Sequence, residues 1–194
     1  MIQGAVHTWF PKTIYVADNV LLKKLDSYES IIKQVVAEKG TETNGMLSVP
    51  STHKIDDQLH SREEFSDLVD YIYFGARHFL LELGYTNILD KLKIGNMWAN
   101  VSHENDFIFP HVHANSLLSG VFYIKKYPNS KISFFNDIES IFPEPNIHNE
   151  LNYPFCEYDC EPGRLMLWKS NFLHGTPRQT SGEKIVISFN ISVI

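Results

Sequence analysis

The chain is short of features that would announce a function by themselves. It has two cysteines in 194 residues, Cys156 and Cys160, too few to staple a fold of this length, which is long enough to bury a core without them. No apolar run approaches the ~20 residues that would cross a bilayer, and the opening MIQGAVHTWF lacks both a basic n-region and a small-residue cleavage signal. A soluble, cytoplasmic protein is expected. Positive charge is also scarce: 17 Lys+Arg stand against 23 Asp+Glu, for a formal charge of -6. That balance offers no field to hold a nucleic-acid backbone, so bulk nucleic-acid binding is not expected. No Gly-rich phosphate loop lies between a strand and a helix, and no Ser-centred nucleophile elbow occurs. A CxxxC pair does not have the spacing of a zinc knuckle, and two free thiols are expected.

Aromatic residues are abundant, with 13 Phe, 9 Tyr and 3 Trp, and favour half-buried strands. The length suits a single domain over 1–194. Within it, a helical buttress lies mainly in 18–93 and packs on an all-β part, mainly 94–194, with an N-terminal strand. From Asp18 to Gly40, Leu21, Leu22, Leu25, Ile32, Val35 and Val36 recur at mostly helical intervals, with a break in phase at Asp26 and Ser27. A second helix is expected to start at a capping box of Ser61 and Glu64, carry Phe65, Leu68, Ile72, Ala76, Phe79 and Leu80 on one face, and end at Gly84. The polar stretch 41–57 reads as loop or irregular extended chain. SLLSGVFYIKKYPNSKISFFN reads as a hairpin turning at Pro128-Asn129-Ser130. Strands are expected around Leu165–Trp168 and along KIVISFNISVI. In the last, Ile185, Ile187, Phe189 and Ile191 share one face, and Lys184, Val186, Ser188 and Asn190 the other.

The chemistry concentrates in PHVHAN, residues 110–115. In a strand, positions two apart point the same way and lie about 6.6 Å apart, so His111 and His113 can converge on one ion. Imidazoles suit Fe, Zn, Ni or Cu alike, and the pattern equally fits one buried, hydrogen-bonded histidine beside a surface one. His174 stands just past a strand end and before the turn Gly175-Thr176-Pro177. Lys184 opens the last strand on its polar face. A lysine buried there needs an anionic partner, such as a bound carboxylate, whereas one at the strand mouth keeps its charge in water.

These elements, P-H-x-H-x-N, then S-G-V-x-Y, H-G, and S-G-x-K-x-x-I-S-F-N, together with the opening WFPKTIYV, resemble the 2-oxoglutarate- and Fe(II)-dependent oxygenases of bacteria and phages, related to the prolyl hydroxylases. The resemblance is sharp over 98–115, 119–123 and 174–190. It implies a mainly β fold with N-terminal helices: a double-stranded β-helix (jelly roll, cupin-like) buttressed by two or three helices. It implies His111, His113 and His174 as metal ligands and Lys184 as the grip on the distal carboxylate of 2-oxoglutarate, with Tyr123, Ser188 and Asn190 as further co-substrate contacts. Asn115, Trp98, Asn100 and Arg178 are candidates for catalysis or substrate contact. Fe(II), 2-oxoglutarate and molecular oxygen are the implied cofactor and co-substrates, and hydroxylation coupled to decarboxylation to succinate is the implied reaction.

One departure stands out. His113 occupies the position where this superfamily usually places a carboxylate. A working three-histidine centre is the favoured reading; replacement of one histidine by Asp106 or Glu104, or loss of oxygenase chemistry, are the others. A cupin-like metal protein without oxygenase activity and a non-enzymatic β-sandwich binding module remain as competing classes. A small molecule or peptide is the expected substrate, no membrane partner is expected, and a homodimer through the helical half is compatible with each class. Residues 41–57 and 136–160 are expected to form the rim of the site.

Overall fold

The computed structural model describes residues 4–9, 11–44, 47–136 and 144–194. Parts of the expected rim, residues 45–46 and 137–143, and Phe10 of the opening segment lie outside them. The chain runs through β1 (Ile14–Ala17), a 3-10 turn, α1 (Leu25–Lys39), β2 (Glu42–Asn44), β3 (Leu47–Ser51), two further 3-10 turns and α2 (Ser66–Glu82). After a last 3-10 turn come β4 (Leu92–Ser102), β5 (Ile108–His111), β6 (Leu118–Lys125), β7 (Lys131–Phe135), β8 (Phe155–Asp159), β9 (Leu165–Lys169), β10 (His174–Thr176) and β11 (Lys184–Val193). This is a double-stranded β-helix, mainly β, with two α-helices packed against it.

The strand order is β1-β9-β6-β11-β4-β3-β5-β10-β7-β8, with β2 beside β3. One wall is β1-β9-β6-β11-β4 and the other β5-β10-β7-β8. Strand β3 joins them through one pairing on each side, Ser51 with Asn100 and Leu47 with Ile108. Two-residue alternation divides the apolar side chains between two cores. Ile185, Ile187, Phe189 and Ile191 of β11, Leu118 and Phe122 of β6, and Leu165 and Leu167 of β9 pack against Tyr28, Ile32, Leu68, Ile72 and Leu80 of the helices. On the opposite face Val121, Tyr123, Met166, Trp168 and Val186 meet Ile132 and Phe134 of the second wall, so the two walls close on each other. In β4 the register with β11 shifts between Asn190 and Ile191. Leu92 and Ile94 therefore share the helix-side core with Met97, Ala99 and Val101 despite the change of parity, as a bulge requires.

Several local expectations are corrected. Helix α1 is preceded by a separate 3-10 turn at Leu22–Lys24, runs unbroken through Asp26 and Ser27, where the hydrophobic phase breaks, and stops at Gly40, whose φ is 81°. Ser61 does not cap α2: its Oγ donates to the Gln58 carbonyl at 2.7 Å inside a 3-10 turn, and the α-helix begins at Ser66. The stretch 41–57, read as loop or irregular extended chain, contains the short strands β2 and β3. The β6–β7 hairpin is absent. The chain does turn, with Asn129 at φ 62°, yet β6 pairs with β9 and β11 while β7 pairs with β8 and β10. The turn carries the chain from one wall to the other, a choice that turn residues do not encode. Among the described residues no helix is long and apolar enough to cross a membrane.

Candidate metal centre and co-substrate cavity

His174 of β10 is the direct cross-strand partner of His111 of β5, and on its other side it pairs with Phe134 of β7. A central strand thus fixes both imidazoles on the inner face. His113 lies two residues past the end of β5, not within a strand, and its backbone N–H donates to the Ser170 carbonyl at 2.9 Å, which anchors it to the end of β9. The three rings converge: centroids are 4.9 Å apart for His111 and His113, 4.5 Å for His111 and His174, and 5.2 Å for His113 and His174. One nitrogen from each lies within 4.8 Å of the others.

The tautomers follow from the backbone. Nδ1 of His111 lies 2.8 Å from the Phe109 carbonyl, and Nδ1 of His174 lies 2.8 Å from the Phe172 carbonyl. A carbonyl only accepts, so both Nδ1 atoms carry the proton and both Nε2 atoms present a lone pair. Burial, then the neighbouring His111, pushes His174 down to about 3. Burial, then His111, takes His113 to about 4, and burial also lowers His111. Three neutral imidazoles in this arrangement are a ready donor set for a transition metal.

The acids considered as replacements do not join them. Asp106 Oδ2 accepts from the His103 backbone N–H at 2.7 Å, closing a turn, and Glu104 is exposed. Among the described residues the cluster contains histidine only.

The same cavity is lined by Trp98, Asn100, Tyr123, Lys184 and Ser188, all singled out from the sequence. Lys184 is 2% exposed and, among the described residues, makes no ion pair or hydrogen bond. Burial lowers its pKa. Asn100 Nδ2 donates to Ser188 Oγ at 3.0 Å, leaving Asn100 Oδ1 buried without a donor. The Tyr123 hydroxyl is buried near the Cys160 thiol, and burial, then that thiol, raises its pKa. Ser102, Trp168 and Thr176 also line the cavity and were not singled out. The parity of Ser102 with Trp98 and Asn100 along β4 is the signal that could have found it.

Three candidates lie elsewhere. Asn190 points to the inner face but sits beyond the cavity: its Oδ1 accepts from Ser119 Oγ at 2.7 Å and its Nδ2 donates to Asn96 Oδ1 at 2.9 Å. Asn96 in turn meets His53 Nε2 at 3.3 Å, and His53 packs on Trp98 with centroids 4.4 Å apart. Asn115 is exposed in a turn with φ 61°, because the strand has already ended at His111. Arg178 is exposed on a second groove, stacked 4.9 Å from the Phe107 ring and donating to the Asn105 carbonyl, and does not line the cavity of the histidines.

Residues 96–190 match the family model described as "Putative 2OG-Fe(II) oxygenase". A comparison with curated proteins finds no relative that matches. Among solved structures, the chain superposes on a prolyl-4-hydroxylase from Pseudomonas putida with a TM-score of 0.68 and 9% identity, covering 94% of both chains. The epimerase SnoN of nogalamycin biosynthesis, described as non-heme and alpha ketoglutarate dependent, gives 0.68 at 11% identity, covering 94% of this chain and 77% of that one. HygX from Streptomyces hygroscopicus, solved with nickel and 2-oxoglutarate, gives 0.63 at 12%, covering 94% and 83%. The fold is therefore the double-stranded β-helix of prolyl-hydroxylase-like oxygenases, and the segment similar to the oxygenase family in sequence is the one that carries all three histidines and Lys184.

Proposed function

We propose that the chain is a non-haem iron, 2-oxoglutarate-dependent dioxygenase that hydroxylates a small-molecule or peptide substrate. The observation that carries this reading is Lys184: a buried amine that makes no side-chain ion pair or hydrogen bond among the described residues, in the cavity where three imidazoles meet. Burying an isolated charge costs several kcal/mol (order of magnitude), so the arrangement calls for an anion. A metal protein without a co-substrate needs the histidines but has no use for the lysine, and a sandwich binding module needs neither.

The donor set fits the implied group. His111, His113 and His174 would hold Fe(II), and Lys184 would receive the 5-carboxylate of 2-oxoglutarate. When bound, iron and 2-oxoglutarate together supply oxygen activation coupled to decarboxylation to succinate. The chain's own residues bind, orient and exclude water. The Phe109 and Phe172 carbonyls hold two imidazoles in the metal-binding tautomer. Thr176 Oγ1, buried and unpartnered in the same cavity, would offer the dicarboxylate a hydroxyl donor. Val121, Ile132, Trp168 and Val186 wall the cavity with apolar surface, which strengthens each charge interaction inside. Trp98, braced by His53, stands 6.3 Å from His113, ring centre to ring centre, and is assigned to the substrate side.

Three neutral ligands leave the metal one negative charge short of the usual two-histidine, one-carboxylate set. Metal and dianion should therefore bind with marked mutual dependence. Anaerobic titration tests the reading. A weak visible charge-transfer band should require both Fe(II) and 2-oxoglutarate, and succinate should appear on admitting oxygen; a protein that binds neither is not an oxygenase.

A further inference from the structure

Trp168 holds the inner-face position of β9 next to Met166, paired through its backbone to Ile14 of β1 and Ser119 of β6, and is 2% exposed. Its indole is confined by two edge-on rings, Phe134 at 5.0 Å and 78° and His174 at 4.7 Å and 63°. These two rings brace the indole on a strand bonded along both edges. Yet its Nε1, buried, has no hydrogen-bond partner, although Trp168 lines the cavity shared by Lys184 and the three histidines. A phenylalanine would fill most of the same space without the cost of an unsatisfied donor. Two other orphan atoms, Asn100 Oδ1 and Thr176 Oγ1, line the same cavity. Trp168 Nε1 and Thr176 Oγ1 can donate, as the Lys184 ammonium does, so one acceptor-rich ligand would complete these three groups, whereas Asn100 Oδ1 accepts and calls for a separate donor.

We infer that the Trp168 indole N–H is a co-substrate-binding group, donating a hydrogen bond to a carboxylate oxygen of the dicarboxylate that Lys184 pairs with. The inference rests on the dioxygenase reading above and adds to it a donor that belongs neither to the metal ligands nor to the basic residue. The indole N–H cannot be deprotonated near neutral pH and cannot accept, so it discriminates in favour of an oxygen acceptor at this point.

Zn(II)-loaded, 15N-labelled protein separates the two claims. Of the three tryptophan indole resonances, that of Trp168 is identified by its absence in Trp168→Phe, or by elimination with Trp9→Phe and Trp98→Phe if that variant does not fold. On addition of 2-oxoglutarate the Trp168 indole proton is expected to move downfield. In calorimetry, Trp168→Phe is expected to bind 2-oxoglutarate about tenfold or more weakly, the usual loss for a hydrogen bond to a charged group, with Zn(II) affinity unchanged. If backbone resonances around Lys184 respond to 2-oxoglutarate while the Trp168 indole does not, the donor assignment is overturned and the dioxygenase reading stands. If no resonance responds, both fall.

Discussion

Nε2 of His113 and Nε2 of His174 lie 3.3 Å apart, with their rings inclined by only 9°, although 61 residues separate them in the chain. Nε2 of His174 is a lone pair because Nδ1 holds the proton. The contact is thus either a weak hydrogen bond donated by His113 or, once His113 takes the matching tautomer, two lone pairs facing one cation. In the second arrangement the two lone pairs repel one another unless a cation lies between them.

Replacement of His113 should report on that ion directly. His113→Ala is expected to weaken Fe(II) binding at least tenfold (rough magnitude), while His113→Asp, which restores a negative ligand, should bind Fe(II) more tightly than the wild type. Anaerobic competition against a chromophoric chelator measures both. Unchanged affinity in His113→Ala would remove this residue from the ligand set.

Lys184 predicts opposite effects on binding and on stability. Lys184→Met should weaken 2-oxoglutarate by about a hundredfold or more, as expected when a buried charged partner is lost, and leave metal affinity unchanged. Without ligand it should stabilise the protein by about 1–3 kcal/mol, since a buried ammonium with no partner is replaced by an apolar chain of similar length. Calorimetry and urea denaturation give the two numbers.

Asp56 braces the segment between β3 and α2. Burial raises its pKa, but hydrogen bonds from Lys39 at 2.8 Å and Arg62 at 2.9 Å outweigh this and hold it below the usual carboxylate range. A depressed folded value stabilises above the unfolded pKa near ~3.9 and is lost as pH falls through the folded value. Asp56→Asn should thus cost about 1–2 kcal/mol at pH 7, with a difference from wild type that narrows below pH ~4. Denaturation midpoints across that range check the sign.

Gly120 lies where β6 crosses the Phe189 ring of β11. A Cβ there would overlap Phe189 Cζ and come within 2.6 Å of the Met166 carbonyl. Gly120→Ala should destabilise by about 1–3 kcal/mol or more, because backbone and a packed ring must both shift. Equilibrium urea unfolding is the measurement, and an unchanged midpoint would mean the sheet accommodates the methyl group.

The parts legible in the sequence are those governed by neighbours along the chain. The alternation of β11 correctly divided Ile185, Ile187 and Phe189 from Lys184, Val186 and Ser188, because side chains in a strand have no choice but to alternate. The helical periodicity around Leu68, Ile72 and Leu80 likewise marked a buried face. Misreadings arose where a local signal had more than one outcome. Pro128-Asn129-Ser130 marks a turn whether the chain returns beside β6 or crosses to the other wall. Asn115 has the parity of His113 only if the strand continues, and the strand ends at His111.

By itself the sequence determined which side chains are apolar, which alternate and which are of a type able to ligate a metal or pair with an anion, since these follow from residue type and spacing. Only the tertiary structure decided that His174 stands opposite His111, that Asn190 is spent on Ser119 and Asn96, that Arg178 faces outward, and that Trp168 is left with an unanswered N–H. The reason is that strand pairing joins residues far apart in the chain. Register, once set by the packing of two walls, assigns every inward group either a neighbour or a cavity.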